Sequence, residues 1–185
     1  MSVSRSAKLA SFLLACLCWS VGLAHQPFWN AGSPSLALAF GVEEPTVSKA
    51  IFGELAAGGV AYFALEVNDD FPLDVSLFVG QGCSEAFTPQ LWLARAGAVN
   101  TSSDVELPEG YGLEAGVGAW RPYRGHGLQG REGPEITSTL QAGTHYLIVT
   151  APEVGGYYLL SLAGEESFGG TPEGRSAIPR FNACG

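Results

Sequence analysis

Histidine has the clearest metal-binding chemistry in this sequence, which contains three: His25, His126 and His145. His25 follows the small residues Gly22-Leu23-Ala24, which are typical of a signal-peptidase site. Cleavage there would leave an amine and an imidazole on one residue, and both nitrogens suit Cu(II). His126 or His145 would then supply a further ligand, so copper binding is one predicted function.

Each histidine also has a structural interpretation, which we favour. Pro27 lacks the backbone N–H that an amino-terminal copper motif would use, so His25 could simply follow a cleavage site. His145 falls on an inward-facing strand position, where a hydrogen-bonded side chain is expected. Copper binding is therefore the alternative function rather than the leading one.

Arginine provides the one basic cluster of an acidic chain, which has nine Lys and Arg against 18 Asp and Glu and a net charge of −9. Arg121, Arg124 and Arg131 surround His126, and the planar guanidinium suits a carboxylate or another anion. The alternative, which we favour, is a solvated loop whose charges balance those of neighbouring glutamates. The net charge argues against a nucleic-acid partner.

Two further sets of side chains are candidate contacts. Trp92, Trp120 and Tyr123 present planar rings of the kind that bind polysaccharide, although they are scattered along the sequence. Asp69, Asp70 and Asp74 offer oxygen ligands for calcium, but an Asn-Asp-Asp turn is also what a hairpin needs. Calcium is therefore a less favoured cofactor than copper, and no cofactor is the leading prediction.

Catalytic motifs are missing from the sequence. It contains no GxSxG, HExxH or GxxxxGK[ST], and no GxGxxG that opens a helix. We therefore predict a protein without enzymatic activity. An enzyme assembled from distant residues is a third hypothesis, which depends on the unexplained segment 98–133.

Residues 1–24 are predicted to be a secretory signal helix. Arg5 and Lys8 precede the apolar segment 9–21, and small residues follow it. We expect a periplasmic or secreted protein with no transmembrane segment after cleavage. A lipobox-like sequence that ends at Cys16 gives the alternative of a lipid anchor.

Cleavage would also remove Cys16 and Cys18, which leaves Cys83 and Cys184. An even pair in an oxidising compartment is expected to form a disulfide. The bridge would require the two Cα atoms to lie within about 7 Å and would hold the tail, 169–185, against the domain.

The sequence alternates between apolar and polar residues from Val47 onward, as in segments 62–67, 73–79, 145–149 and 158–162. Strands buried on one face have this period of two. We predict an all-β, antiparallel, jelly-roll-like sandwich in one domain, 25–168. Segment 98–133 is predicted to be a long surface loop with at least one strand around 111–120.

Three segments resemble the bacterial pre-peptidase C-terminal β-sandwich. GGVAYFALEV at 58–67 is similar to its opening strand, AGTHYLIVTAPEVGGYYLLSLAG at 142–164 to its final hairpin, and EEPTVSKAIFGEL at 43–55 to the sequence before that strand. Ala61 and His145 depart from the aspartate and tyrosine common there.

The resemblance implies an accessory domain of an exported protein, and some members of the family bind calcium or collagen-like ligands. It implies no catalytic residues. Together with the signal-like segment, it makes a secreted, non-catalytic binding or accessory protein the leading prediction. Its ligand or protein partner is unknown.

Overall fold

The computed structural model describes residues 25–98, 105–151 and 153–185. In chain order the strands are β1 (Gln26–Asn30), β2 (Phe40–Val42), β3 (Lys49–Leu55), β4 (Gly59–Val67), β5 (Phe71–Gly80), β6 (Gln90–Ala96), β7 (Tyr111–Ala115), β8 (Arg121–Gly125), β9 (Leu128–Leu140), β10 (Gly143–Ala151) and β11 (Gly156–Leu162). A 3-10 turn, Leu36–Leu38, lies between β1 and β2, and helix α1 (Pro172–Ala183) follows β11. The predicted signal helix and Cys16 lie outside the described residues.

The strands form two sheets. Within the described residues, sheet A has the order β1-β3-β11-β5-β9-β8, and sheet B has the order β2-β4-β10-β6-β7. The inner orders β3-β11-β5-β9 and β4-β10-β6-β7 are those of a jelly roll, with each sheet alternating between early and late strands. The predicted jelly-roll-like β-sandwich is confirmed.

The pairing is antiparallel throughout the jelly roll but parallel at one edge of each sheet. β1 pairs in parallel with β3, and β2 pairs in parallel with β4. Parallel neighbours need a crossover connection between them. Here the crossover includes a strand of the other sheet, which is β2 for the β1–β3 pair and β3 for the β2–β4 pair. These two edge pairs are exceptions to the predicted antiparallel arrangement, which holds for the other strand pairs of the described residues.

The core lies between the sheets and follows the predicted period of two. Phe63, Leu77 and Leu147, on three different strands, are completely buried. The residues that were predicted from alternation to face inward and are buried include Leu65, Val67, Leu73, Val75, Val79, Val149, Tyr158, Leu160 and Leu162. Complete burial of one leucine or phenylalanine side chain stabilises the fold by about 1.5–3 kcal/mol.

Segment 98–133 contains the strand that was predicted around 111–120, which is β7, but it also contains β8 and the first part of β9, so the remainder is not the predicted long loop. Residues 99–104 of this segment lie outside the described residues. His126 and Gly127 join β8 to β9 with φ of 50° and 79°, as a two-residue type I′ turn requires. The hairpin lies at the edge of sheet A, where its strands have no strict apolar alternation.

The predicted C-terminal tail contains helix α1. Thr171 caps the helix by accepting a hydrogen bond from the Gly174 N–H at 3.1 Å, and Pro172 begins it. Phe181 is buried against Phe52 on the outer face of sheet A, with ring centroids 5.6 Å apart. The tail is therefore a docked helix rather than a loose extension.

The predicted disulfide between Cys83 and Cys184 is confirmed. The two Cα atoms lie 4.9 Å apart, and the bridge joins the loop after β5 to the residue that ends α1. Gly80 and Gly82 contact the last turn of the helix, where a Cβ atom would collide with the backbone of Phe181 and Ala183. The bridge thus fixes the helix end beside the β8–β9 hairpin.

Candidate functional site

A groove lies along the edge of sheet A that the β8–β9 hairpin forms. Its volume is about 550 Å³. We call it the edge groove; its lining residues are Gln81, Glu85, Trp120, Pro122, Tyr123, Arg124, Gln129, Gly130 and Arg131. It combines a tryptophan ring with several hydrogen-bonding side chains, which suits a polar ligand that has an apolar face.

Trp120 lies against β9 because Gly133 leaves room for it. A Cβ atom at position 133 would come within 2.5–2.6 Å of three atoms of the indole ring. Between Ser76 and Phe78 on β5, the partner strand advances from Glu135 to Glu132, so β9 bulges at this point. Bulges commonly contain glycine and change the direction of a strand. This bulge includes Gly133, against which the indole packs.

Of the three predicted anion-binding arginines, Arg124 and Arg131 line the edge groove and Arg121 does not. The Arg131 guanidinium donates to the carbonyls of Ser84 at 2.9 Å and Phe87 at 3.2 Å, and it forms an ion pair with Glu85 at 3.2 Å. It therefore holds the loop after β5, and its Cζ lies 5.6 Å from the centroid of the Trp120 ring.

The other two arginines have different surroundings. Arg121 forms an ion pair with Glu132 at 2.9 Å. Arg124 donates to the Gln129 amide oxygen at 3.5 Å and lines the edge groove. Arg121 thus pairs with a neighbouring glutamate, as the charge-balance alternative predicted, whereas Arg131 pairs with Glu85 of a distant loop and Arg124 lines the edge groove.

The predicted aromatic contacts are also divided between surfaces. Trp92 lies on the outer face of sheet B, where its Nε1 donates to the Thr150 hydroxyl at 3.2 Å. Tyr123 packs edge-on against Phe78, with centroids 4.9 Å apart. Trp120 is therefore the predicted aromatic residue best placed to stack on a ligand in the edge groove.

Two of the three histidines share a second cavity, beneath α1. This cavity, which we call the histidine pocket, has a volume of about 30 Å³. Its lining residues are His25, Pro27, Ala50, Phe52, His126, Leu128 and Ile178. An adjoining groove of about 260 Å³ on the outer face of sheet A is also lined by both histidines, by Asp74 and by Glu132.

Burial lowers the pKa of His25 below its ordinary value, and the nearby His126 lowers it further. A hydrogen bond with the backbone of Leu162 and the charge of Glu166 oppose that decrease. The Nδ1 atom of His25 is buried and has no hydrogen-bond partner within the described residues. Desolvation thus favours the neutral imidazole, which is the form that binds metals.

His145 is not among the lining residues of the histidine pocket, which lies on sheet A. It lies on β10 in sheet B, opposite Leu65 of β4, and is 8% exposed. Its Nε2 is 2.8 Å from the Gln141 carbonyl. A copper site that used His25 would therefore draw its second imidazole from His126.

The predicted calcium ligands do not converge either. Asp69 and Asp70 line a third groove, of about 870 Å³, between β2 and the β4–β5 turn, whereas Asp74 lines the groove beside the histidine pocket. Across residues 25–98, 105–151 and 153–185, no three His, Cys, Asp or Glu side chains gather as metal ligands.

Asn182 joins both candidate sites, although no sequence signal marked it. Its Oδ1 accepts a hydrogen bond from the Gln129 N–H, and its Nδ2 donates to the Gly127 carbonyl, both at 2.9 Å. It therefore fixes the turn that carries His126 and the strand that carries Gln129. The tail was predicted to be held against the domain, but its helical form, which places Asn182 there, was not predicted.

The fold and grooves define a jelly-roll β-sandwich with a helix docked on one sheet. No protein-family model matches the chain, and no curated protein matches it. A crystal structure of the pre-peptidase C-terminal domain of a collagenase from Bacillus anthracis is 18% identical to it. The match covers 68% of this chain and 94% of that one, with a TM-score of 0.42.

In the described part of the chain, no helix has the length and apolar character needed to cross a membrane.

Proposed function

We propose that this chain is a non-catalytic β-sandwich binding protein that holds a carbohydrate in the edge groove. The observation that carries the proposal is the position of Trp120, half-buried along β9 with Arg124 and Gln129 beside it. The apolar C–H face of a sugar ring stacks on the indole. Its hydroxyl groups bond to the neighbouring guanidinium and amide.

The rigidity of the groove supports this proposal. Arg131 fixes one wall through three backbone carbonyls, of Ser84, Glu85 and Phe87, at 2.9–3.2 Å. The Cys83–Cys184 bridge fixes the adjoining helix end. A preorganised wall lowers the entropy lost on binding, which is how a shallow groove gains useful affinity.

The carboxylates support binding without turnover. Glycoside hydrolysis generally uses two carboxyl groups on opposite sides of the bond that breaks. Among the described lining residues of the edge groove, Glu85 is the one acid, and it forms an ion pair with Arg131 at 3.2 Å. A bound sugar chain therefore meets no pair of carboxylates there.

The proposed place of action is outside the cytoplasm, periplasmic or extracellular. The signal-like sequence of residues 1–24 supports this location. The Cys83–Cys184 disulfide supports it independently, since such bridges persist in oxidising compartments.

A glycan array probed with the pure protein tests the function, followed by calorimetry with the best glycan. Trp120→Ala should weaken binding by about 30-fold or more, as the loss of a central aromatic contact costs about 2 kcal/mol or more. Trp92→Ala is the matched control, because it removes a tryptophan from sheet B and should leave affinity unchanged.

Circular dichroism would verify that both variants are folded. Equal binding by Trp120→Ala and the parent protein would overturn the proposal, as would hydrolysis of the bound glycan.

A further inference from the structure

We propose that the histidine pocket is a second site, which binds Cu(II) through His25 and His126. The site lies beneath α1, apart from the edge groove, so the inference does not depend on carbohydrate binding. Its ligands are the amine and Nδ1 of His25, once the chain is cleaved before that residue, and the imidazole of His126.

The free nitrogen of His25 is the first argument. Its Nδ1 is buried with no hydrogen-bond partner in the described part of the chain. Buried polar atoms are nearly always paired, and an unpaired one costs about 1–3 kcal/mol. A metal ion in the pocket would give this atom a partner. The pocket, of about 30 Å³, has room for one ion rather than an extended ligand.

The fixed position of His126 is the second argument. Its backbone is left-handed, with φ of 50°, in the β8–β9 turn. The Asn182 side chain holds the next residue, Gly127, by a hydrogen bond of 2.9 Å to its carbonyl. The second imidazole is thus carried by a turn that α1 holds in place, and a preorganised ligand binds a metal more tightly.

The third argument concerns the number and type of ligands. No set of three His, Cys, Asp or Glu side chains is gathered within the described residues, so side chains alone do not complete a centre here. Processing before His25 would add an amine nitrogen next to Nδ1. Three nitrogen ligands in this arrangement suit tetragonal Cu(II), which prefers nitrogen and oxygen donors.

The test begins with the exported, full-length precursor. Mass spectrometry of the processed protein must find His25 as the first residue; any other terminus overturns the proposal. Cu(II) is then titrated by calorimetry, and the site is examined by electron paramagnetic resonance. We expect one bound ion with nitrogen couplings from the amine and two imidazoles.

The variants separate this site from adventitious binding. His126→Asn keeps a residue that tolerates the left-handed backbone and should weaken Cu(II) binding about 100-fold, since loss of even an outer-shell partner costs about 10–100-fold. Two residues added before His25 should have a similar effect. His145→Ala, on sheet B, is the control.

The proposal is wrong if His126→Asn or the extended terminus binds Cu(II) as tightly as the parent protein. It is also wrong if His145→Ala loses binding to the same extent. Glycan binding is measured on the same variants and should not change. Failure of the copper site would therefore leave the carbohydrate proposal intact.

Discussion

Asn182, at the end of α1, accepts a hydrogen bond from the backbone N–H of Gln129 at 2.9 Å. Its amide also donates to the carbonyl of Gly127 at 2.9 Å. One side chain thus connects the C-terminal helix to both ends of the segment that leads from the hairpin turn into β9. The helix is thereby a structural support for both candidate sites.

Replacing Asn182 with Ala should destabilise the protein by about 1–2 kcal/mol, since two partly exposed hydrogen bonds are lost and each contributes about 0.5–1.5 kcal/mol. Urea unfolding gives the change. Asn182→Asp keeps the acceptor for Gln129 but loses the donor to Gly127, so about half the effect is expected. An unfolding free energy that Asn182→Ala leaves unchanged would show that the helix does not support the hairpin.

Removal of the disulfide should destabilise the protein by about 2–5 kcal/mol, because the bridge restricts an unfolded chain over a sequence separation of 101 residues. Cys83→Ala/Cys184→Ala tests this by thermal unfolding. Thiol labelling of the unreduced parent should find neither cysteine free. Reduction of the parent should reproduce the variant's stability, and a labelled Cys83 or Cys184 before reduction would contradict the pairing.

Gly133→Ala should move the Trp120 indole, because the new methyl group would lie 2.5–2.6 Å from three ring atoms. The tryptophan emission maximum should shift, and binding of a glycan that needs Trp120 should weaken. Gly41→Ala is the control, since a Cβ atom there meets no atom within 4 Å. Unchanged emission in Gly133→Ala would indicate that the indole does not rest on β9.

Tyr158 should make the fold sensitive to alkali. Burial raises the pKa of its hydroxyl well above the ordinary value of 10.0, although a hydrogen bond from Asn30 acts in the opposite direction. In the unfolded chain this tyrosine ionises first, near its ordinary pKa. Stability is therefore fully present below about pH 10 and is lost as the pH rises above it.

Urea unfolding between pH 8 and 11 measures this loss. Tyr158→Phe should lower stability at pH 8 by about 1 kcal/mol, because the hydrogen bond from Asn30 is lost. It should also flatten the alkaline decrease, although Tyr62 and Tyr146, whose pKa values burial also raises, would retain part of it. An equally steep decrease in the variant would assign the effect to other groups.

The sandwich could be predicted from sequence because one face of each main strand is buried. In β5, for example, Leu73, Val75, Leu77 and Val79 alternate and all face the core, whereas Phe78 packs against Tyr123 on the other face. The β8–β9 hairpin shows no such alternation, because it lies at an edge of sheet A and its residues form a bulge, ion pairs and a groove. Periodicity detects burial on one face, so it missed these strands.

The helix and the sites could not be predicted for a related reason. Glycine weakens an isolated helix, so Gly174 gives no helical signal in the sequence. The helix requires glycine there because position 174 packs directly against the backbone of Pro27 and Phe28 on β1. The pairing of His25 with His126 depends on that same packing. The sequence indicated all three histidines as candidate ligands but could not distinguish His126 from His145 as the partner of His25.

The strand order determines when the chain can fold. β11 lies between β3 and β5, and β10 lies between β4 and β6, so the last two strands to be synthesised are interior strands of the two sheets. A growing chain that ends before Gly143 lacks the strand that joins the halves of each sheet. Contacts so distant in sequence form slowly. The sandwich therefore cannot close before β10 and β11 have been synthesised, and until then the earlier strands of both sheets lack their interior neighbours.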